Sequence, residues 1–173
     1  MWWKKNMEAL DWSRFSDILI EDEEGDIRPM SEPYFKAKKI ADGTWQVLSD
    51  GDYSYVIEGS DEAIVIDSGM GAGNIRAYCQ TLTNKPIYRM LLTHCHFDHT
   101  ANCYLFDCVY MSKESYSRRN EPMGEFLERG MQFPDDYPVV FIKEGDVIDL
   151  GNRKLEVYNI AEHALGSLQF LDR

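Results

Sequence analysis

The segment from His94 to His99 constrains the fold more than any other part of the sequence. It holds three of the four histidines of the chain together with Asp98, and it follows an apolar run at residues 87–92 that is typical of a buried strand. In an extended segment alternate side chains share a face, so His94 and His96 can point their imidazoles at one ion. The fold must therefore end a buried strand at a site where imidazole and carboxylate groups converge.

Asp98 and His99 come one step later, where the chain leaves the strand, and a turn there can swing both side chains toward a second ion. Paired metal ions in proteins lie about 3.5–4 Å apart. The alternative is a polar loop in which Asp98 caps the next helix, and it leaves the spacing of the histidines unexplained. Cys95 lies between two candidate ligands and should face the other way, so we interpret it as a packing residue.

The fourth histidine, His163, follows a predicted strand at residues 155–160 and precedes Gly166 and Ser167. A single histidine is more often a partly buried, hydrogen-bonded residue than a metal ligand. Its place after a strand would nevertheless allow it to join the other three. On the residues alone, both interpretations stay open.

Composition narrows the class of protein. The chain has 173 residues, of which 44% are hydrophobic, enough for one domain with its own core and too few for two. A net charge of -12 argues against nucleic acid as a partner and favours small or uncharged substrates. The absence of a signal-like start and of long apolar stretches predicts a cytoplasmic protein with no membrane partner. The four cysteines lack zinc-ribbon spacing, so free thiols are expected.

Hydrophobic periodicity divides the chain into an N-terminal extension, residues 1–34, and a domain at residues 35–173. In the extension, apolar residues at helical spacing predict a short amphipathic helix: Ala9, Leu10, Trp12, Phe15 and Leu19. Strands are predicted at residues 44–48, 53–57, 63–66, 87–92, 109–111, 139–142, 147–150 and 155–160. Helices are predicted at residues 73–82, after Asp98, and within residues 112–131. Antiparallel meanders that alternate with crossover helices indicate an α/β sandwich.

The run Thr93-His94-Cys95-His96-Phe97-Asp98-His99 resembles the Thr-His-x-His-x-Asp-His signature of the metallo-β-lactamase superfamily. A second family element, an aspartate after an apolar strand, stands at Asp67 and implies that this residue supports the site. A third element places His163 before Gly-Ser, although the Pro, Gly and Thr usual around this histidine are absent. The resemblance covers about residues 35–173. It implies an α/β fold, the αββα sandwich of the metallo-β-lactamase type, of which this chain supplies the N-terminal half to two-thirds.

Similarity to glyoxalase II and its relatives implies a role for each candidate residue. His94, His96 and His163 would bind a first metal ion, and Asp98 and His99 a second. Three protein ligands leave a coordination position open for water. The resemblance thus implies a metal-dependent hydrolase in which a metal-bound hydroxide, oriented by Asp98 as catalytic residue, attacks an ester, thioester, lactone, lactam or phosphodiester. The ligand types favour zinc, as one or two ions, although iron and manganese also suit them.

Two family ligands, a bridging aspartate and a final histidine, are expected after residues 168–171, so the domain is expected to be truncated before its last ligand motifs. Asp172 is expected to open a hairpin rather than to bind metal. Several residues should form sheet surfaces that are too apolar to remain exposed to solvent: Ile64, Ile66, Leu91, Leu92, Leu155, Val157 and Ile160. We therefore expect either a missing C-terminal half or self-association through this face. The alternative function is a non-catalytic metal-binding or assembly module, a degenerate or fragmentary relative.

Overall fold

The computed structural model describes residues 19–21, 27–29, 35–49, 52–69, 71, 74–119, 136–160 and 163–173. The helix predicted in the N-terminal extension lies outside these residues except for Leu19. That residue begins a strand, β1 (Leu19–Glu21), which pairs antiparallel with β2 (Ile27–Pro29). The helix prediction is therefore wrong at Leu19, because the backbone there is extended and paired with a neighbouring strand.

A seven-stranded sheet forms the centre of the domain. Its strands follow one another in space as they do along the chain. They are β3 (Lys36–Ala41), β4 (Thr44–Ser49), β5 (Asp52–Glu58), β6 (Ala63–Ile66), β7 (Ile87–Leu91), β8 (Cys108–Met111) and β9 (Val139–Phe141). Strands β3 to β6 pair antiparallel, which confirms the predicted meander, and β6 to β9 pair parallel. Parallel neighbours need crossover connections, and these carry the helices.

The described part of the chain has three short α-helices in or after these crossovers: α1 (Ile75–Gln80), α2 (Phe97–Thr100) and α3 (Lys113–Arg118). A 3-10 turn follows α2 at Cys103–Leu105. α1 is shorter than predicted because Asn74 fixes its start, accepting a hydrogen bond from the Ala77 backbone N–H at 2.9 Å. α3 confirms a helix after residue 112, while residues 120–135 fall outside the described part. Among the described residues, no helix has the length and hydrophobicity needed to cross a membrane.

Alternating side chains give the large sheet two apolar faces. In β6, Val65 packs with Ile75 of α1, whereas Ile64 and Ile66 point the other way. That second face is covered by an antiparallel sheet of β10 (Val147–Asp149), β11 (Lys154–Asn159) and β12 (Leu168–Asp172). Helices, large sheet and small sheet form three successive layers. The α/β class is confirmed, and these layers correspond to three of the four in an αββα sandwich.

The apolar surfaces cover one another within the chain. Five of the seven residues expected to need an external cover are at most 1% exposed: Ile64, Leu91, Leu92, Leu155 and Val157. Ile66 is partly buried, and Ile160 alone is well exposed, at 44%. The expectation that these residues need a cover from outside the chain is therefore wrong except at Ile160, because the small sheet and the helices already pack against the two faces.

Candidate metal centre

One edge of the large sheet gathers the candidate residues. β6 and β7 run parallel and end at this edge, while β5, antiparallel to β6, begins there. The start of β12 is brought to the same edge because the Leu168 backbone N–H donates to the Thr93 carbonyl at 2.8 Å. The loops that leave β6 and β7 and the loop that precedes β12 therefore converge.

His94, His96 and His163 form the first group at this edge. Their ring centroids lie 4.6 to 4.8 Å apart in the three pairings. One candidate ligand nitrogen from each ring lies within 4.8 Å of the other two, and His96 Nδ1 is 3.2 Å from His163 Nε2. The structure thus brings the fourth histidine to the run from which it is separated in sequence.

A chain of hydrogen bonds fixes the tautomer of His94. Thr93 Oγ1 donates its single proton to Asp67 Oδ2 at 2.7 Å, so it must accept the proton of His94 Nδ1, which lies 3.0 Å away. His94 Nε2 is left unprotonated, and it is buried without a hydrogen-bond partner among the described residues. An unpaired buried acceptor is destabilising. A cation among the three imidazoles would satisfy this nitrogen.

Burial favours the neutral form of these rings. Burial, then the nearby charge of His99, lowers the pKa of His94 to about 4. Burial, then the neighbouring His163, lowers the pKa of His96 as well. Neutral imidazole is the form that binds metal, so both rings are in the ligand state at neutral pH.

Asp52, Asp98 and His99 form a second group beside the first. Their candidate ligand atoms lie within 4.8 Å of one another, and the rings of His99 and His94 have centroids 4.2 Å apart. His99 Nδ1 lies 2.8 Å from Asp67 Oδ2, and its Nε2 lies 3.4 Å from Asp98 Oδ2. Burial lowers the pKa of His99, but hydrogen bonds to Asp67 and Asp98 outweigh burial and raise it to about 10.

Asp67 connects the two groups. Its side chain is nearly buried, and its carboxylate accepts hydrogen bonds from the Thr93 backbone N–H at 2.8 Å and from the Thr93 hydroxyl. The same carboxylate holds His99. Asp67 has a φ of 59°, in the left-handed region that Asp and Asn tolerate better than most residues. The supporting role implied by the family resemblance therefore has a geometric basis, since one carboxylate orients both His94 and His99.

Asp98 is the second residue of α2, whose cap position is His96, and no side-chain cap bond is made there. The alternative in which Asp98 serves as helix cap is therefore wrong. α2 is tied to the end of β6 by Ser68, whose hydroxyl donates to the His99 carbonyl at 2.8 Å and accepts from the Asn102 backbone N–H at 3.1 Å. This link fixes the direction in which Asp98 and His99 leave the strand.

The loop that carries His163 is closed by the Gly-Ser pair that follows it. Ser167 Oγ donates to the Ala164 carbonyl at 2.8 Å, and Ser112 Oγ donates to the Gly166 carbonyl at 2.7 Å. Gly166 has a φ of 80°, and a Cβ at this position would collide with Ser112 Oγ. The small residues after His163 thus anchor its loop to α3.

Sequence reasoning missed Asp52, which ends the turn-like run Ser49-Asp50-Gly51-Asp52. A signal was present, since antiparallel pairing of β5 with β6 brings the start of β5 to the end of β6, beside Asp67. Asp172 lies elsewhere: it pairs with Arg153, whose guanidinium also donates to Thr44 Oγ1 at 2.6 Å, at the opposite end of β4 and β5. Cys95 is buried, and all four cysteines are free thiols as predicted.

Comparison with known proteins adds independent findings. A family model described as "Metallo-beta-lactamase superfamily" matches residues 50–173. The chain is similar to the acyl-coenzyme A thioesterase MBLAC2 of Homo sapiens, with 25% identity over 149 residues, which cover 69% of this chain and 53% of that protein. The chain therefore spans about half the length of the curated relatives it matches.

Solved structures give the same architecture. A metallo-β-lactamase from Cronobacter sakazakii matches with a TM-score of 0.68 and 20% identity, covering 79% of this chain and 59% of that one. BJP-1, a subclass B3 metallo-β-lactamase of Bradyrhizobium japonicum, matches with a TM-score of 0.66 and 22% identity, covering 83% and 61%. At these identities the likeness shows the fold alone.

Proposed function

This chain belongs to the metallo-β-lactamase superfamily, and from that premise we propose that it is a zinc-dependent hydrolase of small-molecule acyl substrates. The observation that carries the proposal is the state of His94 Nε2, an unprotonated nitrogen that is buried and has no hydrogen-bond partner among the described residues. Two further imidazoles face it, those of His96 and His163. A metal cation is the partner that this donor set fits.

His94, His96 and His163 would hold the first cation, and Asp98 and His99 a second. Imidazole nitrogen suits zinc, and three protein ligands leave one coordination position free. A cation bound in such an open site makes hydroxide available from water near neutral pH and polarises a substrate carbonyl. His94 is buried whereas His96 and His163 are exposed, so the site is open on their side to an approaching substrate.

Asp98 is the residue placed to hold a water for attack. Its side chain is 27% exposed, and its Oδ2 lies 3.4 Å from His99 Nε2. Burial raises the pKa of Asp98, but the hydrogen bond and charge of His99 more than offset this, so the net pKa lies below its ordinary value. An ionised carboxylate accepts hydrogen bonds, so Asp98 can orient a water without first losing a proton.

Thioesters are the substrate class we favour. The curated proteins similar to this chain are named acyl-coenzyme A thioesterases. The test is release of free thiol from an acyl-coenzyme A series by the zinc-loaded chain, compared with His94→Ala and Cys95→Ala. We expect His94→Ala to lose most of its bound zinc and its hydrolysis, whereas Cys95→Ala keeps both, because Cys95 is a buried packing residue.

Equal zinc content in wild type and His94→Ala would contradict the site assignment. Stoichiometric zinc without turnover of thioesters, esters, lactones or phosphodiesters would instead favour a non-catalytic metal-binding module. The two proposals therefore separate on metal content and turnover measured on the same preparation.

A further inference from the structure

The second metal position needs more ligands than the two that the sequence motif supplies. We infer that Asp52, at the start of β5, provides a carboxylate ligand there together with Asp98 and His99, whose candidate ligand atoms lie within 4.8 Å of one another and of Asp52. The inference rests on the proposed metal-dependent function and extends it to a residue outside the histidine run.

The fold brings Asp52 to this position by strand pairing. Asp52 faces Ser49 across the β4–β5 hairpin, and three residues further along β5 Tyr55 pairs with Ile66, the last residue of β6. Asp67 follows directly. The start of β5 and the end of β6 therefore meet at the edge where β7 delivers the histidine run, although Asp52 and Asp98 are far apart in sequence.

In the described part of the chain, the Asp52 carboxylate has one cationic neighbour, His99, whose charge is already shared by Asp67 and Asp98. Among the described residues, no hydrogen bond or ion pair to its side chain is formed, and the side chain is only partly accessible. Asp98 stands beside it with a second carboxylate, while the carboxylate of Asp67 is already engaged by Thr93 and His99. Neighbouring carboxylates repel each other. A divalent cation between Asp52 and Asp98 would offset that repulsion.

One ligand atom faces this place, and an unpartnered nitrogen lies in the first group beside it. His99 is held through Nδ1 by Asp67, so its Nε2 is the nitrogen left facing Asp98. His94, which is 7% exposed, has an unpartnered buried Nε2 in the adjoining first group, and its ring centroid lies 4.2 Å from that of His99. Two metal positions thus adjoin, one built from three imidazoles and the other from two carboxylates and one imidazole. The second donor set also suits harder ions such as manganese.

The test is a count of metal ions on the whole chain. Wild type, Asp52→Asn and the control Asp61→Asn are loaded with zinc, dialysed and analysed by mass spectrometry, and the weaker ion is titrated against a chromophoric chelator. Asp61 is an exposed turn residue after β5. We expect two ions in wild type and Asp61→Asn, and in Asp52→Asn a second ion bound at least about tenfold more weakly, a loss comparable to that for changes around a metal site.

A conservative variant guards against misfolding. Asp52→Glu keeps a carboxylate and should retain part of the second-site affinity, while Asp52→Ser should lose it if Asp52→Asn does not fold. Two ions bound equally tightly by wild type and Asp52→Asn would overturn the role of Asp52 and leave the proposed hydrolase standing. A single bound ion in a catalytically active wild type would also overturn the role of Asp52 and leave the proposed hydrolase standing. Absence of any bound ion in wild type would refute the proposed function itself.

Discussion

Replacing Asp67 by asparagine perturbs both histidine groups without touching a proposed ligand. The Asp67 carboxylate accepts three hydrogen bonds, from the Thr93 backbone N–H, the Thr93 hydroxyl and His99 Nδ1, at 2.8, 2.7 and 2.8 Å. An asparagine offers only one acceptor oxygen and presents an amide that donates. If the asparagine side-chain oxygen still accepts from the Thr93 backbone N–H, its NH2 group faces the two remaining donors, the Thr93 hydroxyl and His99 Nδ1. The Thr93 hydroxyl must then turn so that it accepts a hydrogen bond from this NH2 group.

The turned hydroxyl then donates to His94 Nδ1, which moves the ring proton to Nε2, the nitrogen proposed to bind metal. His99 also loses one of the two carboxylate partners, Asp67 and Asp98, that raise its pKa to about 10. Breaking one buried ion pair destabilises a protein by about 3–5 kcal/mol, a large share of a typical stability of about 5–15 kcal/mol. Loss of an outer partner of a metal ligand weakens metal binding by about 10–100-fold. Asn tolerates the positive φ at this position, so the backbone contributes little to the loss.

The assay is urea unfolding of the chelated chain at pH 7, followed by zinc titration of the same samples. Asp107→Asn is the matched control: Asp107 pairs with Arg76, but its side chain is 59% exposed, so the cost should stay below about 1 kcal/mol. If Asp67→Asn changed the unfolding free energy by no more than the control and kept wild-type zinc affinity, the orienting role of Asp67 would be refuted.

Three further outcomes follow from the structure. Leu155→Ala, at the 1% exposed contact between the sheets, should cost about 2–5 kcal/mol in urea unfolding, against about 0.5 kcal/mol or less for Leu171→Ala, which is 40% exposed. In the chelated chain the folded pKa of His99 lies above its ordinary 6.5, so its contribution is complete below that pH and is lost as pH rises through about 10. The urea midpoint of wild type should therefore fall more steeply from pH 7 to 10 than that of Asp67→Asn, and parallel profiles would contradict this. Gly166→Ala should weaken zinc binding, because its Cβ would displace the loop that carries His163.

Local patterns predicted those parts of the fold that carry strong periodicity. β6 was predicted with its observed bounds because its apolar residues lie between clear turn residues. β3 was missed because an edge strand with lysines at positions 36, 38 and 39 lacks an apolar pattern. The covering of Ile64 by Leu155 was also missed, because the sequence does not show that the chain folds its own second sheet over the first.

The residues of the candidate site likewise fall into those that the sequence reveals and those that only the structure brings together. Residues His94 to His99 could be proposed as ligands from the sequence because they are contiguous and their spacing matches one chemistry. Asp52 was missed because its proximity to Asp98 depends on strand register, which a turn-like sequence at residues 49–52 does not reveal. The hydrogen bond from Thr93 to Asp67 was likewise invisible, since it depends on the left-handed backbone at Asp67.

The most direct test of the central claim is X-ray absorption spectroscopy of the zinc-loaded chain at the zinc edge. A site built from His94, His96 and His163, with Asp98 and His99 beside them, predicts only nitrogen and oxygen neighbours, at about 2.0–2.2 Å, with the outer-shell scattering of several imidazoles. The same spectrum should be lost from His94→Ala and kept in Cys95→Ala. Sulfur neighbours at about 2.3 Å would place the metal on the free cysteines instead and contradict the account.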